Sequence, residues 1–132
     1  MTAGTRASLE ELERSGLEPR SSELFVVLCW LVKDDIRIDE AELHAARRRA
    51  MFVLAAGGDP HREIGADSIA AERLADELDT PERRARLAAA LSELPTEDLP
   101  AVSAAVESLR ADPELAWRSF ALSLLADELA DE

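Results

Sequence analysis

Apolar residues recur along this chain at spacings of three and four, broken at short intervals by Pro, Gly and small polar residues. That spacing turns one side of an α-helix toward a core. Ser8 with Glu11 forms a capping-box pattern for a short first helix that ends at Gly16, leaving residues 1–7 as a loose start. Ser21 or Ser22 opens a second helix over about 22–33, which holds the unbroken apolar run Leu24–Val32. Three Val and one Phe in that run also suit a buried strand, but no partner strand is visible elsewhere and one strand makes no sheet. Asp39 caps a third helix over 40–56, with Glu42 three residues on, Ile38 and Leu43 as a hydrophobic staple, and Gly57-Gly58 as the stop. Leu43, Ala46, Ala50, Val53 and Leu54 share one face of this helix, whereas Phe52 points away between Arg48 and Arg49.

The second half repeats one punctuation. Asp59-Pro60, Thr80-Pro81 and Asp112-Pro113 each place a capping residue before a proline, which suits the first helical position. Asp67 or Ser68 starts a fourth helix running to about Leu78, with Ala70, Ala71, Leu74 and Leu78 on one side. Thr80 opens a fifth, with Leu87, Ala90, Leu91 and Leu94 inward and Pro95 at its end. Thr96 caps a sixth, with Leu99, Val102, Val106 and Leu109 as a narrow stripe, and Asp112 opens the last helix, to about Ala130. The pattern predicts an all-α, compact bundle of six or seven helices, one domain over residues 1–132. Leu74–Leu78 and Leu125–Leu129 share the sequence Leu-Ala-Asp-Glu-Leu, an echo of duplication or a coincidence of a biased composition.

The last helix is apolar over more than half of its circumference. Trp117, Phe120, Ala121 and Leu124 share one side, and Leu115, Leu122, Leu125 and Leu129 share another. Such a helix is central to its domain or buried against another molecule. The four leucines are therefore the expected interface of a homodimer, with the first short helix as the competing cover.

Composition agrees with helices: 24 Ala and 20 Leu among 132 residues, and no Tyr, Asn or Gln. One Lys stands against 14 Arg, as a high-GC genome or a high-salt cytoplasm would favour. The net charge is −13, and residues 63–132 alone carry 17 acids and six bases. That charge repels phosphate backbones and anionic lipid surfaces, so neither nucleic acid nor a membrane is an expected partner. Nine apolar residues at 24–32 are too few for a transmembrane span, and the acidic stretch before them is unlike a signal peptide. With Cys29 as the single cysteine no internal disulfide forms, and a cytoplasmic protein is the simplest expectation.

Motifs for catalysis are scarce. The chain has no HExxH, GxSxG, P-loop or GxGxxG pattern, and no cofactor or metal is expected. Cys29 sits among apolar residues, which makes a thiol inert. His44 and His61, with Asp59 and Glu63, form the one arrangement from which an enzyme or metal site could be assembled. Arg47-Arg48-Arg49 is the one basic run, and consecutive helical residues spread over about 200°, so the three cannot grip a single phosphate. The primary expectation is a non-catalytic adaptor or regulatory protein working through protein–protein contacts. The alternatives are a small-molecule or anion binder using Arg48, Arg49 and Phe52, an enzyme built around His44 and His61, and a mimic of DNA using the acidic half.

Overall fold

The computed structural model describes the backbone of residues 3–57 and 69–130 and the side-chain surroundings of residues 4–52 and 70–126. Among the described residues every regular element is helical: α1 (Ala3–Arg14), α2 (Ser22–Leu31), a 3₁₀ turn (Lys33–Ile36), α3 (Glu40–Gly57), α4 (Ile69–Leu78), α5 (Pro81–Ser92), α6 (Pro100–Ala111) and α7 (Pro113–Ala130). No strand occurs among them.

Most helix starts carry the caps that the sequence predicts. Ser21 Oγ accepts from Leu24 N (3.3 Å), Asp39 Oδ1 from Ala41 N (2.8 Å), Thr80 Oγ1 from Arg83 N (3.1 Å) and Asp112 Oδ1 from Leu115 N (3.1 Å). Each bond satisfies an amide that the helix itself leaves unpaired. Gly16, at φ +75°, follows α1 in the left-handed region where glycine is least strained.

Three local expectations are corrected. α1 begins at Ala3, not at Ser8, so residues 3–7 are helical rather than loose. Ala and Arg are good helix formers, and Arg6 ties this turn down through Glu10 (3.0 Å) and the Pro95 carbonyl (2.7 Å). The second helix ends at Leu31, and the polar-looking Lys33-Asp34-Asp35 stretch is a 3₁₀ turn that delivers Ile36, 1% exposed, into the core. Thr96 does not cap α6. That helix has Leu99 at its cap position with no side-chain bond of its own, and its free amides are met from α1. Glu13 Oε1 accepts from Ala101 N (3.0 Å) and Oε2 from Val102 N (2.9 Å), across 88 and 89 positions of sequence.

α7 is the centre. It packs against α2 and α4 most extensively, and also against α3, α5 and α6. Trp117 and Phe120 stack with ring centroids 5.3 Å apart, both almost fully buried, and the indole N–H donates to the Ala75 carbonyl (2.7 Å). α3 lies on α4, burying Ala46 and Ala50, while α1 lies on α6. The expected inward stripes of α4, α5 and α6 are all in the core. No described helix is long and apolar enough to cross a membrane.

Candidate functional site

α3 carries the chemistry that the core does not absorb. Ala46 and Ala50 are its fully buried residues among the described ones, with Leu43 and Met51 partly buried against the core, and α3 packs on α4. Phe52 is on the outer side at 76% exposure, the one large hydrophobic so exposed among the described residues. Ala45, Arg48, Arg49 and Phe52 together line a shallow open depression, so the structure brings the three sequence-selected residues Arg48, Arg49 and Phe52 onto one surface.

The two arginines differ in state. Arg49 Nε donates to Glu77 Oε1 on α4 at 2.6 Å, and Arg73 stands 3.9 Å from the same oxygen. Arg49 is thereby partly neutralised and held in place. Arg48 is exposed and makes no hydrogen bond or ion pair with another described residue. The patch is an exposed aromatic ring beside one free and one anchored guanidinium, on a chain whose remaining surface is strongly acidic. Arg47 is half-buried beside the inward stripe.

Arg83, Arg84 and Arg86, grouped in the first half of α5, are all engaged in structure. Arg83 grips Glu42 with both terminal nitrogens (3.1 and 2.7 Å), Arg84 bridges Asp79 (2.6 Å) and Glu114 (2.8 Å), and Arg86 pairs with Glu82 (2.8 Å). The hydrogen bonds that Arg84 donates, first to Asp79 and then to Glu114, raise its pKa above its ordinary value.

His44 is exposed on α3, while His61, Asp59 and Glu63 lie outside the described residues. Among the described residues no three His, Cys, Asp or Glu side chains are grouped to hold a metal ion. Cys29 is completely buried; its Sγ lies 3.8 Å from the Ala116 carbonyl, and burial pushes the thiol pKa up to about 12.

The leucine face of α7 is where folding changes the picture. Leu125 is 0% and Leu122 5% exposed within the single chain, so neither waits for a second molecule. Leu115 is half-buried, and the side chain of Leu129 lies outside the described residues. α2 makes the most extensive contact with α7, while the first short helix packs on α6. One feature of this region was not legible in the sequence: a cleft of about 490 Å³ between α2, α6 and α7, with Leu115, Ser119 and Leu122 in its wall. Its polar members are scattered over about 100 residues of chain and no spacing announces them.

In comparisons with protein-family models, curated protein sequences and solved structures, the chain shows no match.

Proposed function

We propose that this protein is a non-catalytic binding module of the cytoplasm, acting as an adaptor or regulator through protein–protein contact at the outer face of α3. The observation that carries the reading is Phe52, 76% exposed and the one large hydrophobic so exposed among the described residues. Burying a phenylalanine against a partner is worth about 1.5–3 kcal/mol, and aromatic side chains beside Arg are the residues on which interface energies concentrate. Arg48 supplies an unpaired positive charge next to the ring. The partner with matching chemistry is an acidic protein segment carrying an apolar anchor, and a second copy of this acidic chain meets that description. Nucleic acid does not, because the net charge of −13 opposes it. An inorganic anion fits less well than a protein, because Glu77 already occupies Arg49.

A photo-crosslinking amino acid at position 52 tests this in cells of the native host, with the same group at the exposed Glu107 of α6 as control. A discrete protein adduct at 52, lost when Arg48→Glu is added, is the expected result; an adduct of twice the chain's mass identifies a homodimer. Equal labelling from positions 52 and 107, or labelling indifferent to Arg48→Glu, overturns the reading.

A further inference from the structure

The cleft beside α7 combines features that share no residue with the α3 surface. At about 490 Å³ it is in the size range of small-molecule sites. Its wall is largely apolar, built from Phe25 of α2 and Leu115 and Leu122 of α7. Ser119 is part of the same wall and is only 3% exposed. Its neighbour one turn on, Ser123, is equally buried and donates to the Phe120 carbonyl at 2.6 Å. Ser119, by contrast, makes no hydrogen bond with any described residue. The Ser119 hydroxyl is not one of the fully buried unpaired atoms among the described residues, so it opens into the cleft that it lines, where a ligand group can reach it.

The charged members complete the pattern. Arg20, from the connection before α2, and Asp112, from the junction of α6 and α7, both line the cleft and both are exposed. They form no ion pair with each other, and Arg20 has no acidic partner among the described residues. Asp112 Oδ1 is engaged by Leu115 N (3.1 Å), which leaves its charge and its second oxygen available. A cation and an anion, unpaired, at the mouth of an apolar cleft with a hydroxyl in its wall match one chemical class.

We propose that this cleft binds a free zwitterionic amino acid with a large apolar side chain that ends in a hydroxyl. The carboxylate meets Arg20, the ammonium meets Asp112, the side chain lies along Phe25, Leu115 and Leu122, and its terminal hydroxyl pairs with Ser119. A plain fatty acid would face Asp112 with a like charge, and a plain amine would face Arg20 in the same way.

The probe is L-tyrosine, titrated into the intact protein and followed by amide NMR shifts. Three analogues each remove one group: L-phenylalanine the distal hydroxyl, tyramine the carboxylate, and 3-(4-hydroxyphenyl)propionate the ammonium. Saturable shifts clustered on Leu115, Ser119 and Leu122 are expected with Kd below about 1 mM, each analogue binding about tenfold more weakly. Ser119→Ala should erase the preference for tyrosine over phenylalanine while leaving phenylalanine binding intact. Arg20→Gln should erase the preference over tyramine. Asp112→Asn, which retains a capping oxygen for α7, should erase the preference over the propionate. The same spectra report whether each variant is folded. Absence of saturable shifts at the cleft, or binding by all four probes with equal affinity, overturns the proposal. Position 52 lies outside the cleft, so failure here leaves the α3 reading standing, and the reverse also holds.

Discussion

Single residues show how differently burial acts on polar groups in this chain. Trp117 enters the core whole because its one donor finds the Ala75 carbonyl at 2.7 Å, so the indole costs nothing in unpaired polarity. Cys29 is read correctly from its apolar neighbours as a core thiol. Its raised pKa has a definite consequence. The unfolded thiol ionises near its ordinary value of 9.0, the folded one only near about 12, so between those values the unfolded state loses a proton that the folded state retains. The contribution is therefore complete below pH 9.0 and falls away as pH rises toward about 12, by about 1.4 kcal/mol per unit within the window. Urea midpoints of the wild type and Cys29→Ala at pH 8 and pH 10.5 isolate it: the gap between the two proteins should shift in favour of the variant at the higher pH, and a gap independent of pH refutes it. In the native state at pH 8 a thiol reagent should leave Cys29 unlabelled until denaturant is added.

At the level of elements, helix starts divide into those closed locally and one closed from a distance. Ser21, Asp39, Thr80 and Asp112 each cap their own helix from within four residues, which is why their positions are readable from a short window of sequence. α6 lacks such a residue at Leu99 and borrows the Glu13 carboxylate of α1 instead. A negative group at that helix end also opposes the positive pole of the helix dipole. α1 is thus more than a cover: it holds the entry of α6 through Glu13 and the Pro95 carbonyl through Arg6. Glu13→Ala should cost about 1–2 kcal/mol in urea unfolding, as loss of an N-cap does, while Glu13→Gln should cost less because its amide oxygen still accepts. Thr96→Ala is the control and should change stability by less than about 0.5 kcal/mol. The reverse order of effects would restore Thr96 as the cap.

For the whole molecule the question is where the apolar surface of α7 goes. Area arguments applied to one helix predict an intermolecular face, because four leucines appear on the side opposite Trp117. Packing resolves this within one chain, since α2 and α4 lie on α7 and leave Leu122 and Leu125 almost no exposure. Leu125→Ala should therefore destabilise the fold by about 2–5 kcal/mol through the cavity it leaves. It should leave mass in light scattering unchanged at concentrations where the variant is folded. A drop in assembly size with an unchanged unfolding midpoint would return Leu125 to an interface. The large apolar group that does remain outside, among the described residues, is Phe52, on the side of α3 away from Ala46 and Ala50.

Periodicity, caps and prolines were enough to read an all-helical bundle, the boundaries of most helices and the inward stripes of α4, α5 and α6, because each depends on residues within a few positions of one another. They also marked Phe52 as off the packing face, since direction around a helix follows from residue number. What they could not reach depends on which helices become neighbours. The cover over Leu122 and Leu125, the remote cap from Glu13 and the burial of Ile36 all arise from contacts between distant segments. The cleft that joins Arg20, Asp112 and Ser119 has the same origin: it is a gap left where three helices meet, and a gap has no pattern in a linear chain.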